Sequence, residues 1–174
     1  WQKNIRLILD GLKLVHEKNV DFRMIFVGDG DKRHEAEEIT SDYGLSNKIT
    51  FAGIIQDRDL ITNIYSRGTA LLFPSLYDMS SLVVKEAAAM SCPAVLVKGS
   101  TTSLGVVDQE NGFLVENTAE SLADTIIKII DLPELTQEVG NKALRTLYSS
   151  WEDSAKITKE RYSYLIHRKN SSSY

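Results

Sequence analysis

Two carboxylates eight positions apart, Asp78 and Glu86, stand where a chain of this pattern could use them. Just before them, Thr69–Phe73 (TALLF) is short, apolar and free of turn formers, which predicts a buried strand. Pro74 ends that strand because its ring offers no N–H to a ladder. Ser80 and Ser81 can then cap a helix through their side-chain oxygens. The apolar, Ala-rich residues after them suit a helix that runs through Met90. Strand, polar loop and helix start together form the geometry in which free backbone N–H groups and the helix dipole meet an anion. Asp78 falls in that loop, and Glu86 falls within the helix. By residue type alone, Asp78 reads equally as a solvated loop acid and Glu86 as a solvated helix residue.

Other chemistries find little support. His16, His34 and His167 all fall on charged helix faces and read as solvated side chains, and no Ser/His/Asp motif is visible. No His-x-x-x-His pair or acidic cluster has metal-ligand spacing, so neither a metal nor a cofactor is expected. Gly28-Asp29-Gly30 lacks the third glycine of a dinucleotide fingerprint and by itself reads as a turn. The single cysteine, Cys92, excludes an internal disulfide and a Cys-based zinc site. It reads as a buried thiol before the Pro93 turn, in a reducing compartment. A net charge of −4, with 43% hydrophobic and 25% charged residues, gives no general basic face and argues against nucleic acid as a partner. No apolar run approaches the roughly 18 residues of a spanning helix, and no signal peptide is visible. The chain opens on Trp1 without an initiator Met and reads as a piece of something longer.

The elements that must position the two acids follow from periodicity. Asn4 to Lys18 carries a helical stripe of Ile5, Ile8, Leu9, Leu12 and Val15, with Asn4 as the expected N-cap. Met24–Val27 is an apolar strand, and Asp31–Tyr43 is a charged helix that Gly44 ends. Ile49–Phe51 is a short strand. A helix over Asp57–Ser66, capped by Asp57, turns Leu60, Ile61, Ile64 and Tyr65 inward. Ala94–Val97 and Phe113–Val115 are strands, the second preceded by an Asn111-Gly112 turn. Helices are expected from Thr118 to Ile130, from Glu134 to Tyr148 after Pro133, and from about Glu152 to His167.

Nearly all-apolar strands alternating with helices imply an α/β fold of the doubly wound, Rossmann-like class, a parallel sheet covered on both faces. In that class ligands bind outside the carboxyl ends of the strands. Gly28-Asp29-Gly30, Gly53-Ile54-Ile55 and Pro74-Ser75 should then line one crevice. The reading is one domain over residues 1–168 with a disordered tail at 169–174. The Lys98–Ser103 loop faces the crevice by topology and has no firm role.

The order of these motifs resembles the C-terminal half of a group 1 glycosyltransferase (family 4, two-domain GT-B architecture). Gln2-Lys3-Asn4 resembles that family's lysine-asparagine pair. Phe26-Val27-Gly28-Asp29-Gly30 resembles its hydrophobic-V-G-D-G turn, and Ile49-Thr50-Phe51-Ala52-Gly53 its V-x-F-x-G segment. Phe73-Pro74-Ser75, Asp78 and Glu86-Ala87 resemble its P-S … E-x7-E-A signature. Asn111-Gly112-Phe113-Leu114-Val115 resembles its N-G-x-L-V turn, and Ser150-Trp151 its S-W. Asp78 stands where the family usually has Glu, and Met79-Ser80-Ser81 stands where it has Gly-x-Gly. The family's first strand of this half lies upstream of Trp1.

The resemblance implies a retaining transferase that moves a hexose from a nucleotide diphosphate sugar, UDP-hexose first, to a glycan or lipid acceptor. Lys3, Asp78 and Glu86 would be its key side chains. Glu86 would accept from the ribose hydroxyls, a task an acceptor-only carboxylate suits. Asp78 would bind the hexose hydroxyls. Backbone N–H groups near Ser81, Leu82 and Val83, beside Ser80, would hold the diphosphate with Lys3 countering its charge, and Arg33 is a further diphosphate candidate. Gly53, Ile54, Ile55 and the Phe73-Pro74 turn, with Gly28, Gly30 and Ser75, would flank the donor. The partner that holds the acceptor would be an N-terminal domain of the same chain. The setting would be cytoplasmic, at the inner face of a membrane that the whole enzyme touches peripherally. This part alone would bind donor without turning over. Two other readings remain: a nucleotide-sugar epimerase or phosphorylase of the same architecture, and a degenerate binding module without transfer.

Overall fold

In a computed structural model, residues 3–78 and 82–171 are described. The elements run α1 (Ile5–Glu17), β1 (Met24–Val27), α2 (Arg33–Asp42), β2 (Ile49–Gly53), α3 (Arg58–Arg67), β3 (Leu71–Leu72) and α4 (Leu82–Ala89). After them come β4 (Ala94–Val97), a single 3-10 turn at Thr101–Ser103, β5 (Phe113–Val115), α5 (Ala119–Asp131), α6 (Pro133–Thr146) and α7 (Trp151–Ser171). The α/β alternation read from the sequence is the architecture observed. Every strand pairing is parallel.

The parallel strands form two sheets, β1-β2 and β3-β4-β5. The chain steps from β1 to β2 in one sheet and then through β3, β4 and β5 in the other. One apolar core joins both sheets: Leu7, Ile8, Leu9, Leu12 and Val15 of α1, Ile49 of β2, Val95 and Val97 of β4, and Phe113 and Val115 of β5 belong to it. The α1 stripe faces α5 through Leu122, Ala123, Ile126 and Ile129. Burying each large side chain of this set contributes roughly 1.5–3 kcal/mol.

Cover on both faces holds for β4, whose four residues are all buried. It does not hold for the first sheet. Ile25 and Val27 of β1 and Thr50 and Ala52 of β2 are exposed, while Met24, Phe26 and Phe51 turn toward the core. Among the described residues, α3 buries none of its own side chains and packs against α4 rather than over the exposed face of β1-β2. Leu60, expected inward, is accordingly 46% exposed.

Several ends differ from the periodicity. The β3 ladder is only Leu71–Leu72, although Phe73 N–H still donates to the Val95 carbonyl at 3.0 Å. Helix α7 continues past His167 through Ser171, because no Gly or Pro interrupts the sequence and basic residues favour a helix C-terminus. The rest of the expected tail, residues 172–174, lies outside the described residues. Among the described residues no helix is long and apolar enough to cross a membrane.

Candidate functional site

The site is built where β1, β2 and β3 end. The β1-β2 register shifts between Phe26 and Val27, so that Val27 lies opposite Gly53. Such an irregularity re-aims the chain beyond it. The Phe26 and Phe51 rings stack at 5.1 Å just inside. Gly28 N–H then donates to the Gly53 carbonyl at 2.7 Å, which joins the two glycine turns. Gly53 has φ +70, a left-handed value that suits glycine. A Cβ there would also lie 3.2 Å from the Arg33 guanidinium.

Arg33, the first residue of α2, is held on three sides. It donates to Glu37 at 2.8 Å and to the Phe51 carbonyl at 3.3 Å, and it lies 3.8 Å from Asp29. The Glu37 bond above all raises the guanidinium pKa, and Asp29 adds to it. Gly30 N–H is satisfied by Asp29 Oδ1 at 2.8 Å, which closes the turn locally. Gly28, Gly30, Arg33 and Gly53 therefore form one group. Ile54 beside them is 71% exposed and Ile55 half-buried.

A second group gathers around the loop after β3. Pro74 and Ser75 are buried there. Lys3 and Asp78 form an ion pair, and Lys3 Nζ also lies 5.5 Å from the centre of the Phe73 ring. Asn4 stands at the N-cap position of α1 with φ 56, a conformation Asn tolerates, but its side chain makes no capping bond. It donates instead to the Pro74 carbonyl at 3.3 Å and to Asn117 Oδ1 at 2.9 Å. Because α1 leads into the start of β1, its own start lies toward the far end of β1. Its contacts with Pro74 and Asp78 thus place the loop after β3 on that same side.

The 3-10 turn supplies the floor of this loop. Thr102 Oγ1 donates to the Ser75 carbonyl at 3.1 Å, and Asp78 N–H donates to Thr101 Oγ1 at 3.1 Å. Asn4, Thr101 and Thr102 are thus contributors that the sequence left without these roles. Only the topology, which brings the Lys98–Ser103 loop to the crevice, pointed to the last two.

Glu86 forms the third group. It lies on the second turn of α4 and is 32% exposed, and its Oε1 accepts from Arg58 Nη2 at 2.8 Å. Among the described residues Arg58 is its only hydrogen-bond partner. Leu82 is exposed and Val83 half-buried at the start of α4. Ser80 and Ser81, with Met79, lie outside the described residues, so the expected helix cap has no structural description. Among the described residues no group of three or more His, Cys, Asp or Glu side chains could hold a metal. Two open concavities of about 830 and 590 Å³ lie along α6 and α7 and include none of these residues.

Comparison with known proteins adds the following. A family model described as glycosyl transferases group 1 matches residues 1–146. The alpha-D-kanosaminyltransferase of Streptomyces kanamyceticus is 24% identical over 144 residues, 82% of this chain and 37% of that protein. An uncharacterized glycosyltransferase of Methanocaldococcus jannaschii is 23% identical over 161 residues, 91% of this chain and 41% of that one. The chain therefore spans about two fifths of these relatives. Among solved structures, the C-terminal domain of a Francisella tularensis glycosyl transferase group 1 protein superposes with TM-score 0.75 at 24% identity, covering 84% of this chain and 78% of that one. Anabaena HepE, solved in complex with UDP, superposes with TM-score 0.79 at 21% identity, over 95% of this chain and 46% of that one. These likenesses establish the fold.

Proposed function

The chain belongs to the group 1 glycosyltransferases, and on that footing we propose that residues 1–168 bind the nucleotide-sugar donor of a transferase that moves a hexose with retention of configuration. UDP-hexose is the first expectation, because Anabaena HepE has been solved with UDP and with UDP-glucose. The acceptor, a glycan or a lipid-linked sugar, would be held by a further domain of the whole protein, whose setting is cytoplasmic and at a membrane surface.

One observation carries the reading. Glu86 is a part-covered carboxylate with one oxygen bonded to a cation and the other without a partner among the described residues. Such a group can accept hydrogen bonds from a vicinal diol. Asp78 sits across the loop from it in sequence, turned toward Lys3, and would receive hexose hydroxyls. Lys3 and the start of α4 would face the diphosphate, stabilising the charge that develops as the sugar leaves. Gly28, Gly30, Gly53 and Ile54 would flank the base, and Arg33, already engaged with Glu37, would act mainly by holding these turns together.

Calorimetric titration with UDP, GDP and ADP tests this reading. One nucleotide is expected to bind, with the affinity reduced several-fold in Glu86→Ala. Equal affinity in that variant would overturn the role of Glu86. Binding without any transfer by the whole protein would favour the binding-module reading instead.

A further inference from the structure

We propose that Arg58 is a positioning residue for Glu86: it fixes one carboxylate oxygen so that the other is presented to the ribose hydroxyls of a bound nucleotide. This rests on the donor-binding reading of Glu86 given above.

The geometry begins at the start of α3. Asp57 caps that helix, its Oδ1 accepting from Asp59 N–H at 2.9 Å and Leu60 N–H at 3.1 Å. The cap fixes the backbone of Arg58, the first helical residue. From there the guanidinium reaches α4 and donates through Nη2 to Glu86 Oε1 at 2.8 Å, a bond across 28 residues of sequence. Arg58 is 71% exposed and Glu86 32%, so the cation lies outside the acid. That single bond uses one of about four lone-pair sites on the carboxylate. It is not a two-pronged fork, and among the described residues Oε2 has no hydrogen-bond partner.

Folding gives little reason for the pair. An exposed ion pair contributes little to stability, and α3 buries no residue of its own. Orientation gives a better one. The terminal torsion of a glutamate is broad, so an untethered carboxylate must be ordered by the ligand itself. Tethering it beforehand removes part of that cost from binding. Tyr65, two turns along α3, is close enough to feel the charge of the acid. Burial first, and then the charge of Glu86, push its phenol up to about 12, so it stays neutral beside the carboxylate. The guanidinium in turn is held charged chiefly by its bond to Glu86.

The test is a cycle of titrations of this chain with UDP, on wild type, Arg58→Gln, Arg58→Lys, Glu86→Gln and the Arg58→Gln/Glu86→Gln double variant. Arg58→Gln should weaken binding about threefold to fivefold, the coupling of one exposed pair. Arg58→Lys should recover most of that loss, because a single N–H contact suffices. The double variant should bind no more weakly than Glu86→Gln, and the thermal midpoint of Arg58→Gln should stay at the wild-type value. Full affinity in Arg58→Gln, with Glu86→Gln impaired, overturns the positioning role and leaves the donor reading standing. The same loss from Arg58→Gln in the Glu86→Gln background means that Arg58 touches the nucleotide directly, and overturns it too. Unchanged affinity in Glu86→Gln removes the role of Glu86 in the donor reading, and no binding of UDP, GDP or ADP by wild type removes the donor reading itself.

Discussion

Thr102 donates its hydroxyl hydrogen to the Ser75 carbonyl at 3.1 Å, and both residues are buried. This bond ties the turn after β4 to the loop after β3, two segments that the chain order keeps 27 positions apart. Thr102→Val keeps the shape and removes this bond between the two segments, together with the contact of Thr102 Oγ1 to Ser100 Oγ at 2.8 Å. The expected loss is about 1–2 kcal/mol, read as a drop of a few degrees in the midpoint of thermal unfolding. A wild-type midpoint would show that the brace does not matter.

Gly140 of α6 packs against the turn that follows α4. A Cβ there would stand 2.0 Å from the Ser91 carbonyl oxygen and 3.2 Å from Pro93 Cδ. Backbone cannot yield as a side chain does, so Gly140→Ala should cost about 1–3 kcal/mol or more. At Gly11 the nearest atoms belong to the Leu122 side chain, at 3.0 Å, and Gly11→Ala should cost less. Urea unfolding of the two variants checks the order. Equal stability would contradict it.

Burial also sets the alkaline limit. The Cys92 thiol, 3% exposed, is pushed by desolvation from 9.0 up to about 11, and the Tyr65 phenol from 10.0 to about 12. Both groups therefore keep their protons longer in the folded state than in the unfolded one. Their contribution is fully present below about pH 9 and declines as pH rises through the window up to the folded values. Unfolding midpoints recorded from pH 7 to pH 11 should hold and then fall. Thiol labelling at pH 8 should find no reactive group in the folded chain and one in urea. Prompt labelling of the folded chain would contradict the burial argument.

Lys3 is already paired with Asp78 and lies over the Phe73 ring. If its charge also faces the diphosphate, the gain should depend on phosphate count. Lys3→Ala is expected to narrow the preference for UDP over UMP by several-fold while leaving UMP binding nearly unchanged. Equal loss for both ligands would assign Lys3 to holding the loop instead.

The parts of the fold that were legible in the sequence are those bounded by strong local signals. Ala94–Val97 begins after Pro93, Phe113–Val115 follows Asn111-Gly112, and both strands have the bounds read from those punctuators. Asp57 and Thr118 cap their helices because short polar side chains reach N–H groups two or three residues on. What was not legible depends on pairing at a distance. Asn4 has the residue type of a cap, yet its amide is used by Pro74 and Asn117. Leu60 has helical spacing for burial, yet it stays 46% exposed. The split of the sheet and the bare outer face of β1 reflect which strands meet, and periodicity is blind to that. In the candidate site, the residue types of Asp78 and Glu86 were readable. Their cations were only half so: Lys3 was singled out, but nothing near Arg58 in sequence points to Glu86.

The most direct test of the central claim compares UDP with 2′,3′-dideoxy-UDP on wild type and on Glu86→Gln, by calorimetry. Wild type should prefer UDP by about tenfold, the worth of hydrogen bonds from hydroxyls to a charged acceptor. Glu86→Gln should lose most of that preference. If the variant discriminates between the two ligands as strongly as wild type does, Glu86 does not read the ribose and the account fails.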